Sequence, residues 1–398
     1  MTYTSERLAA GREVFPDLVR SFAILGIVVV NVAFFAYPAL TGYAGDALSS
    51  GVDKASYFAV NALALMKSFS LFSFMFGVGL AYQMMSAERR GVAFGPRYAR
   101  RIIGLFVLGL AHVYFAFVGD ILIIYAIFGA VLYAFRDFEP KLLIRIGTIL
   151  ILIQTALGVL GGLLIAVGAS VLPAAEMAEI QALFDEDIAA SFEGYQAEEF
   201  TTVAAHRLGE YAGYAKFILP FQGLAVFGYF LWGLAAAKTQ AISDPSRPGW
   251  RKARRQALPV GLILSAIGAW FLIHADGLFS VGYGWGTLFV TLGAPLSTLG
   301  YLGLLAKWAE GPDSGLRTFF ARGGTATLTA YLLQSLILSW VFSGYGLGLY
   351  GKLSASVCIG IAFATGLFTL LLSSLIRTRF QRGPFEWLLR KWTYLGAR

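Results

Sequence analysis

VLGLAHVYFAFVGDILIIYAIFG, residues 107–129, is apolar except at two places. His112 and Asp120 interrupt a stretch that otherwise has the composition of a lipid-facing helix. Two apolar runs meet here around Gly119, and both are long enough to enter or cross hydrocarbon. The stretch reads as a tight helical hairpin in a membrane that carries an imidazole and a carboxylate at depth. Its fold class follows from that reading, because the rest of the chain repeats the pattern.

Of the 398 residues, 58% are hydrophobic and 14% charged. Soluble domains carry about 25% charged residues. Apolar runs of ~20 residues, the length that crosses ~30 Å of hydrocarbon, recur from end to end. Strand-like alternation is absent, which argues against a barrel. The chain is expected to be all-α, one polytopic helix bundle over 1–398. Ten spans are expected, near 20–40, 57–84, 102–118, 121–135, 143–172, 216–237, 257–275, 284–306, 326–343 and 354–376. The first apolar run has no small-residue cleavage site and reads as a retained helix.

Basic residues orient the bundle. With both termini cytoplasmic, 26 of the 31 Lys and Arg residues fall in cytoplasmic segments; only Lys54, Arg207, Lys216 and Lys352 lie outside, and Lys67 falls within the second span. The net charge of +8 is then explained by anchoring beside anionic lipid, and no nucleic acid is needed. Residues 174–215 carry nine acidic residues and form an external cap, while 377–398 form an amphipathic cytoplasmic tail. One cysteine and three scattered histidines give no metal motif, so no metal is expected.

Ionisable residues at membrane depth are expensive and mark candidate sites. In PDLVRSFAILGIVVVNVAFF, Asp17 and Arg20 share a face at the cytoplasmic entrance, and Asn31 lies ~16 Å deeper. Asp17 and Arg20 can simply pair, and Asn31 can simply bond a neighbouring helix. Lys67 lies deep in the second span and needs an acceptor, for which Asp120 is one candidate; Ser70 lies nearby. His112, Asp120 and Tyr125 can converge, with Asp120 orienting His112 as a base. The alternative is a helix–helix hydrogen bond from His112 and a cap from Asp120. Arg97, Arg100 and Arg101 occupy about one turn at the base of the third span, and Arg322 precedes ARGGTATLTAYLLQS, whose Tyr331 and Gln334 suit a wet interior. Arginine forks fit phosphate, and they also serve as plain membrane anchors.

Several segments together resemble the YeiB family of bacterial multi-pass membrane proteins, which carry a domain of unknown function. The entry helix from Pro16, the hairpin HVYFAFVGDILIIYAIFG, GGTATLTAYLLQS, GYGLGLYG from Gly344 and GPFEWLLRKWTY from Gly383 match in order. Ser21 stands where the family usually has Gly. The resemblance implies the bacterial cytoplasmic (inner) membrane and a relation to the transmembrane acyltransferase superfamily. It implies acyl-coenzyme A as co-substrate from the cytoplasmic side and a small-molecule or lipid acceptor with a hydroxyl or amine.

On that reading His112 is the base, Asp120 orients it and Asn31 supports the oxyanion. Arg20, Arg97, Arg100, Arg101 and Arg322 hold coenzyme A phosphates, Tyr331 and Gln334 line the tunnel, and Lys67, Ser70 and Tyr125 line the substrate pocket. A proton-coupled transporter, or a membrane protein that binds lipid or a small molecule, uses the same polar set differently, and a structural partner subunit is the third reading. Glycine-rich helix faces leave room for a homodimer.

Overall fold

The computed structural model describes residues 13–43 and 45–395, and helices make up almost all of it. The first twelve residues and the last three of the tail lie outside the described residues. In chain order the helices are α1 (Val14–Ala36), α2 (Gly51–Leu63), α3 (Lys67–Glu88), α4 (Phe94–Phe115), α5 (Leu122–Ala134), α6 (Pro140–Val171), α7 (Ala174–Gln196) and α8 (Phe200–Lys238). Then come α9 (Pro248–Lys252), which passes through a π-helical turn into α10 (Leu258–Leu272), α11 (Val281–Glu310), α12 (Gly315–Gly323), α13 (Thr327–Phe342), α14 (Ala355–Arg379) and α15 (Pro384–Thr393). No strand occurs among the described residues.

Eight helical segments among the described residues are long and apolar enough to cross a membrane. The pair α12 and α13, bent by 81°, passes the same test together, as a broken span or a re-entrant loop, and α5 is a shorter apolar helix. The chain is thus an all-α, multi-pass membrane bundle. α3 and α8 pack backbone against backbone. A Cβ at Gly77 would sit 1.9 Å from the Phe230 carbonyl oxygen, and one at Gly233 1.8 Å from that of Phe74. Only glycine lets these two backbones touch, and close approach of this kind holds helices together in lipid.

Three features differ from the linear reading of the spans. The second span is broken between α2 and α3, where Met66 adopts a left-handed conformation at φ 65°. No Gly or Pro marks this break. It is held by Lys67, whose buried ammonium donates to the Asn61 carbonyl at 3.0 Å. A cation thereby satisfies the end of α2, as suits a helix C-terminus. Lys67 does not pair with Asp120, and Ser70 donates to the Met66 carbonyl at 2.7 Å.

The hairpin also turns deeper than expected. The Ile123 amide and Asp120 Oδ1 both pack against Gly109, each 2.9 Å from where its Cβ would be. Gly109 is ~22 Å along α4, so the chain folds back after Phe115 and α5 begins inside the bundle. Finally, the ninth span is preceded by α12, which packs across α1. Gly324 meets the Asp17 carbonyl there, and Ser21 donates to the Phe320 carbonyl. The close approach that glycine would give at position 21 is supplied by Gly324 from the opposite side.

Residues 174–215 form α7 and the first part of α8. They are stitched to the loop after α13: the Gly344 amide donates to the Tyr195 carbonyl at 2.8 Å, and Gln196 Nε2 donates to the Tyr350 carbonyl at 3.2 Å. Buried Arg207 donates to the Tyr114 carbonyl at 2.8 Å and to Ser339 Oγ at 3.1 Å.

Candidate functional site

His112 Nδ1 and Asp120 Oδ2 lie 2.7 Å apart, and both side chains are buried. Asp120 Oδ1 accepts the Ile123 amide at 2.8 Å. One carboxylate therefore does two jobs that the sequence posed as alternatives: it caps the start of α5 and holds the imidazole. When the carboxylate is ionised it only accepts, so Nδ1 is the donor of this bond and Nε2 carries the free lone pair. His112 Nε2 is buried and has no hydrogen-bond partner among the described residues. The ring lies 4.8 Å from that of Tyr331 and 6.1 Å from that of Phe117, between centroids.

Two cavities flank the start of α5. The first, about 570 Å³, opens among the ends of α1, α3, α4, α13, α14 and α15. Arg20, Arg101, Arg377, Arg382 and Arg390 line it together with Glu386, and Phe72, Phe76, Leu80, Leu105 and Leu122 form its apolar wall. The second, about 440 Å³, is lined by Asn31 and Asp120 among mostly apolar residues. Leu122 and Tyr125 face the first cavity, and Ile121 and Ile124 face the second. On α3 the division falls between Phe69 and Phe72. Alternating side chains of α5 and successive turns of α3 thus line the two spaces.

Arg20 bonds Asp17 at 2.9 Å while lining the first cavity, and Arg101 joins it there. Arg97 and Arg100 do not line it. Arg97 packs over the Tyr394 ring at 5.0 Å, and Arg100 bonds the Leu395 carbonyl, so both clamp the tail. Arg322, on α12, does not line it, although Gly324 and Thr325 just after it do. Tyr331 and Gln334 are buried but line neither cavity. Tyr331 accepts the Ile121 amide at 3.4 Å, and Gln334 bonds Thr369 Oγ1 at 2.9 Å. Lys67 and Ser70 are turned to the α2–α3 break instead of a pocket. Tyr125 lines the first cavity, with its hydroxyl 2.8 Å from Ser73 Oγ, apart from the His112–Asp120 pair.

The tail contributes what the sequence reading missed. Arg377, Arg382 and Arg390 turn into the first cavity, although in the sequence they read only as an anchoring surface. Glu386 caps α13 from α15: it accepts the Leu328 amide at 2.7 Å, the Thr329 amide at 3.1 Å and the Thr329 hydroxyl at 2.5 Å. The signal available in the sequence was the Gly-Pro-Phe-Glu start of the last helix beside a glycine-led helix that needs a cap.

A family model described as "Protein of unknown function (DUF418)" matches residues 236–396. The chain is 31% identical to the uncharacterized protein YxaH of Bacillus subtilis (strain 168), over 99% of this chain and 96% of that one. It is 27% identical to the uncharacterized protein YeiB of Escherichia coli (strain K12), over 97% of each. A 33% identity to an uncharacterized 39.9 kDa protein of Bacillus acidopullulyticus covers 34% of this chain and 37% of the other. No solved structure matches the chain. With a relative above 30% identity along nearly its whole length and the matching C-terminal model, the chain belongs to the YeiB/DUF418 family of proteins.

Proposed function

We propose that this chain is an acyltransferase of the bacterial inner membrane that moves an acyl group from acyl-coenzyme A to an acceptor on the far side of α5. The observation that carries the reading is the His112–Asp120 pair. Its Nε2 is buried and has no partner among the described residues, and Asp120 lines the second, largely apolar cavity, while His112 itself lines neither that cavity nor the guanidinium-lined one. Five guanidiniums over an aromatic interior fit a ligand with several phosphates and an acyl-bearing arm. Arg20, Arg101, Arg377, Arg382 and Arg390 would hold the phosphates, and the bound ligand would supply the acyl group as a thioester.

His112 Nε2 takes the proton of the acceptor hydroxyl as its oxygen bonds the acyl carbon. Asp120 stabilises the resulting imidazolium. The Asn31 amide donates to the oxyanion, and the imidazolium returns its proton to the thiolate released when the C–S bond breaks. Two cavities lined by alternating side chains of α5 also favour a second reading, a proton-coupled transporter in which Asp120 and His112 titrate between them.

Titration calorimetry of the purified protein with acetyl-coenzyme A, beside Arg101→Ala/Arg390→Ala, tests the donor site. Micromolar binding that weakens about tenfold or more in the variant is expected. Absence of binding by folded protein removes the acyltransferase reading in favour of the transporter. His112→Gln should then keep donor binding while thioester turnover falls by about 100-fold or more.

A further inference from the structure

We infer that the second cavity is a binding pocket for an uncharged lipid that carries hydroxyl groups at its polar end. Three carboxamides line it, Asn31 from α1, Gln154 from α6 and Gln222 from α8. None of the three side chains makes a hydrogen bond among the described residues, and the Gln154 carbonyl oxygen is buried. Unpaired amides gathered from three helices around one apolar space in a membrane call for a ligand that both donates and accepts. A hydroxyl does so, and an amide offers it a carbonyl and an NH₂ in return.

The wall selects against charge. No Lys or Arg lines the cavity, so a phosphate or carboxylate would be buried without a counter-ion. Asp120 is the one charged residue in the lining, and both of its oxygens are already engaged, by His112 and by the Ile123 amide. An ammonium therefore finds no free carboxylate oxygen. Phe221 lines the cavity, is 51% exposed, and lies at the start of the membrane-crossing part of α8, so the open side carries an exposed aromatic ring that suits an apolar chain. An apolar chain can lie along Phe34, Phe69 and Phe117 with its hydroxyl end among the amides. That this lipid is the acyl acceptor rests on the acyltransferase reading; the pocket itself does not.

The test is photolabelling of the full chain in phosphatidylcholine nanodiscs with a diazirine-bearing alkylglycerol, mapped by peptide mass spectrometry. Label should fall on the segments around Asn31, Gln154 and Gln222 and be displaced by monodecanoylglycerol but not by decyl phosphate. Each amide removed should weaken labelling about fivefold, the equivalent of one hydrogen bond, so about 25-fold for two and about fivefold for Asn31 alone. Gln154→Leu/Gln222→Leu is the main variant, and Asn31→Leu is the second should the first not fold. Labelling that ignores these substitutions, or that decyl phosphate displaces equally, overturns the pocket. The labelling contains no acyl donor and so tests the pocket alone. In a separate reaction with acetyl-coenzyme A, absence of any acyl transfer beside specific labelling would remove the acyltransferase reading and leave the pocket, whereas transfer to a water-soluble acceptor without labelling would do the reverse.

Discussion

At the scale of single residues, Asp120 joins stability to chemistry, and substitution can separate the two. Asn is as good a helix cap as Asp. Asp120→Asn should keep the bond to the Ile123 amide and shift thermal stability by less than about 1 kcal/mol. It removes the charge that fixes the imidazole, so any acyl transfer should fall by about 100-fold or more in kcat with donor affinity unchanged. Asp120→Ala should lose both roles and unfold earlier in a thermal scan. A second residue reports on the acidic cap. Glu210, outside the membrane-crossing part of α8, accepts the Tyr195 hydroxyl at 2.6 Å, and burial holds its carboxyl above the ordinary 4.5 despite the opposing pull of that hydrogen bond, His206 and Arg207. A carboxyl that keeps its proton longer when folded stabilises fully below its unfolded pKa and loses that contribution as pH rises through the folded value. Thermal scans of Glu210→Gln against pH should therefore show a flatter fall in stability above about pH 4.5 than the parent chain.

At the scale of elements, helix ends inside the bundle are finished by side chains from elsewhere in the chain. Lys67 serves the end of α2, Arg207 the end of α4, Asp120 the start of α5, Glu386 the start of α13, and Asp53 the start of α14 through the Ser356 amide at 2.9 Å. Anions stand at N-termini and cations at C-termini, as the peptide dipoles favour. Water cannot finish these ends at membrane depth. Glu386→Ala should therefore cost about 1–3 kcal/mol and raise amide hydrogen exchange at residues 327–330 and along α15. Gly233→Ala forces a methyl into the α3 backbone and should cost about 3 kcal/mol or more, read as a lost or lowered unfolding transition. These contacts also mark what the sequence could reveal. Hydropathy located the apolar segments, because length and composition are local. The break at Met66 was invisible, since NALALMKS contains no breaker and the kink is held by a side chain of the next helix. His112 with Asp120 was legible because the two lie eight residues apart across one hairpin. The arginine set was only partly legible. Arg20 and Arg101 line one cavity, but which other guanidiniums join them depends on the tail folding back under α4.

At the scale of the whole molecule, the distribution of charge predicts its placement. Arg20, Arg101 and Arg390 share one cavity, and Lys238 bonds the carbonyls of Arg136 and Phe138 at 2.8 and 2.6 Å, so the basic loops gather by helix end. With the lone Cys358 replaced by Ser, an impermeant maleimide should label Glu186→Cys in intact cells, and Ser246→Cys only after the membrane is opened. The reverse pattern would invert the bundle. The start of α5 inside the bundle bears on how such a molecule is made. Thirteen residues reach only ~20 Å, short of the ~30 Å that a free helix needs to settle in lipid. α5 cannot leave the insertion machinery alone; it must depart as a hairpin with α4. The imidazole and the carboxylate then enter the bilayer already bound to each other, their polarity masked before any other helix arrives. The pair that gives the site its chemistry is thereby also what makes this segment of the nascent chain acceptable to the membrane.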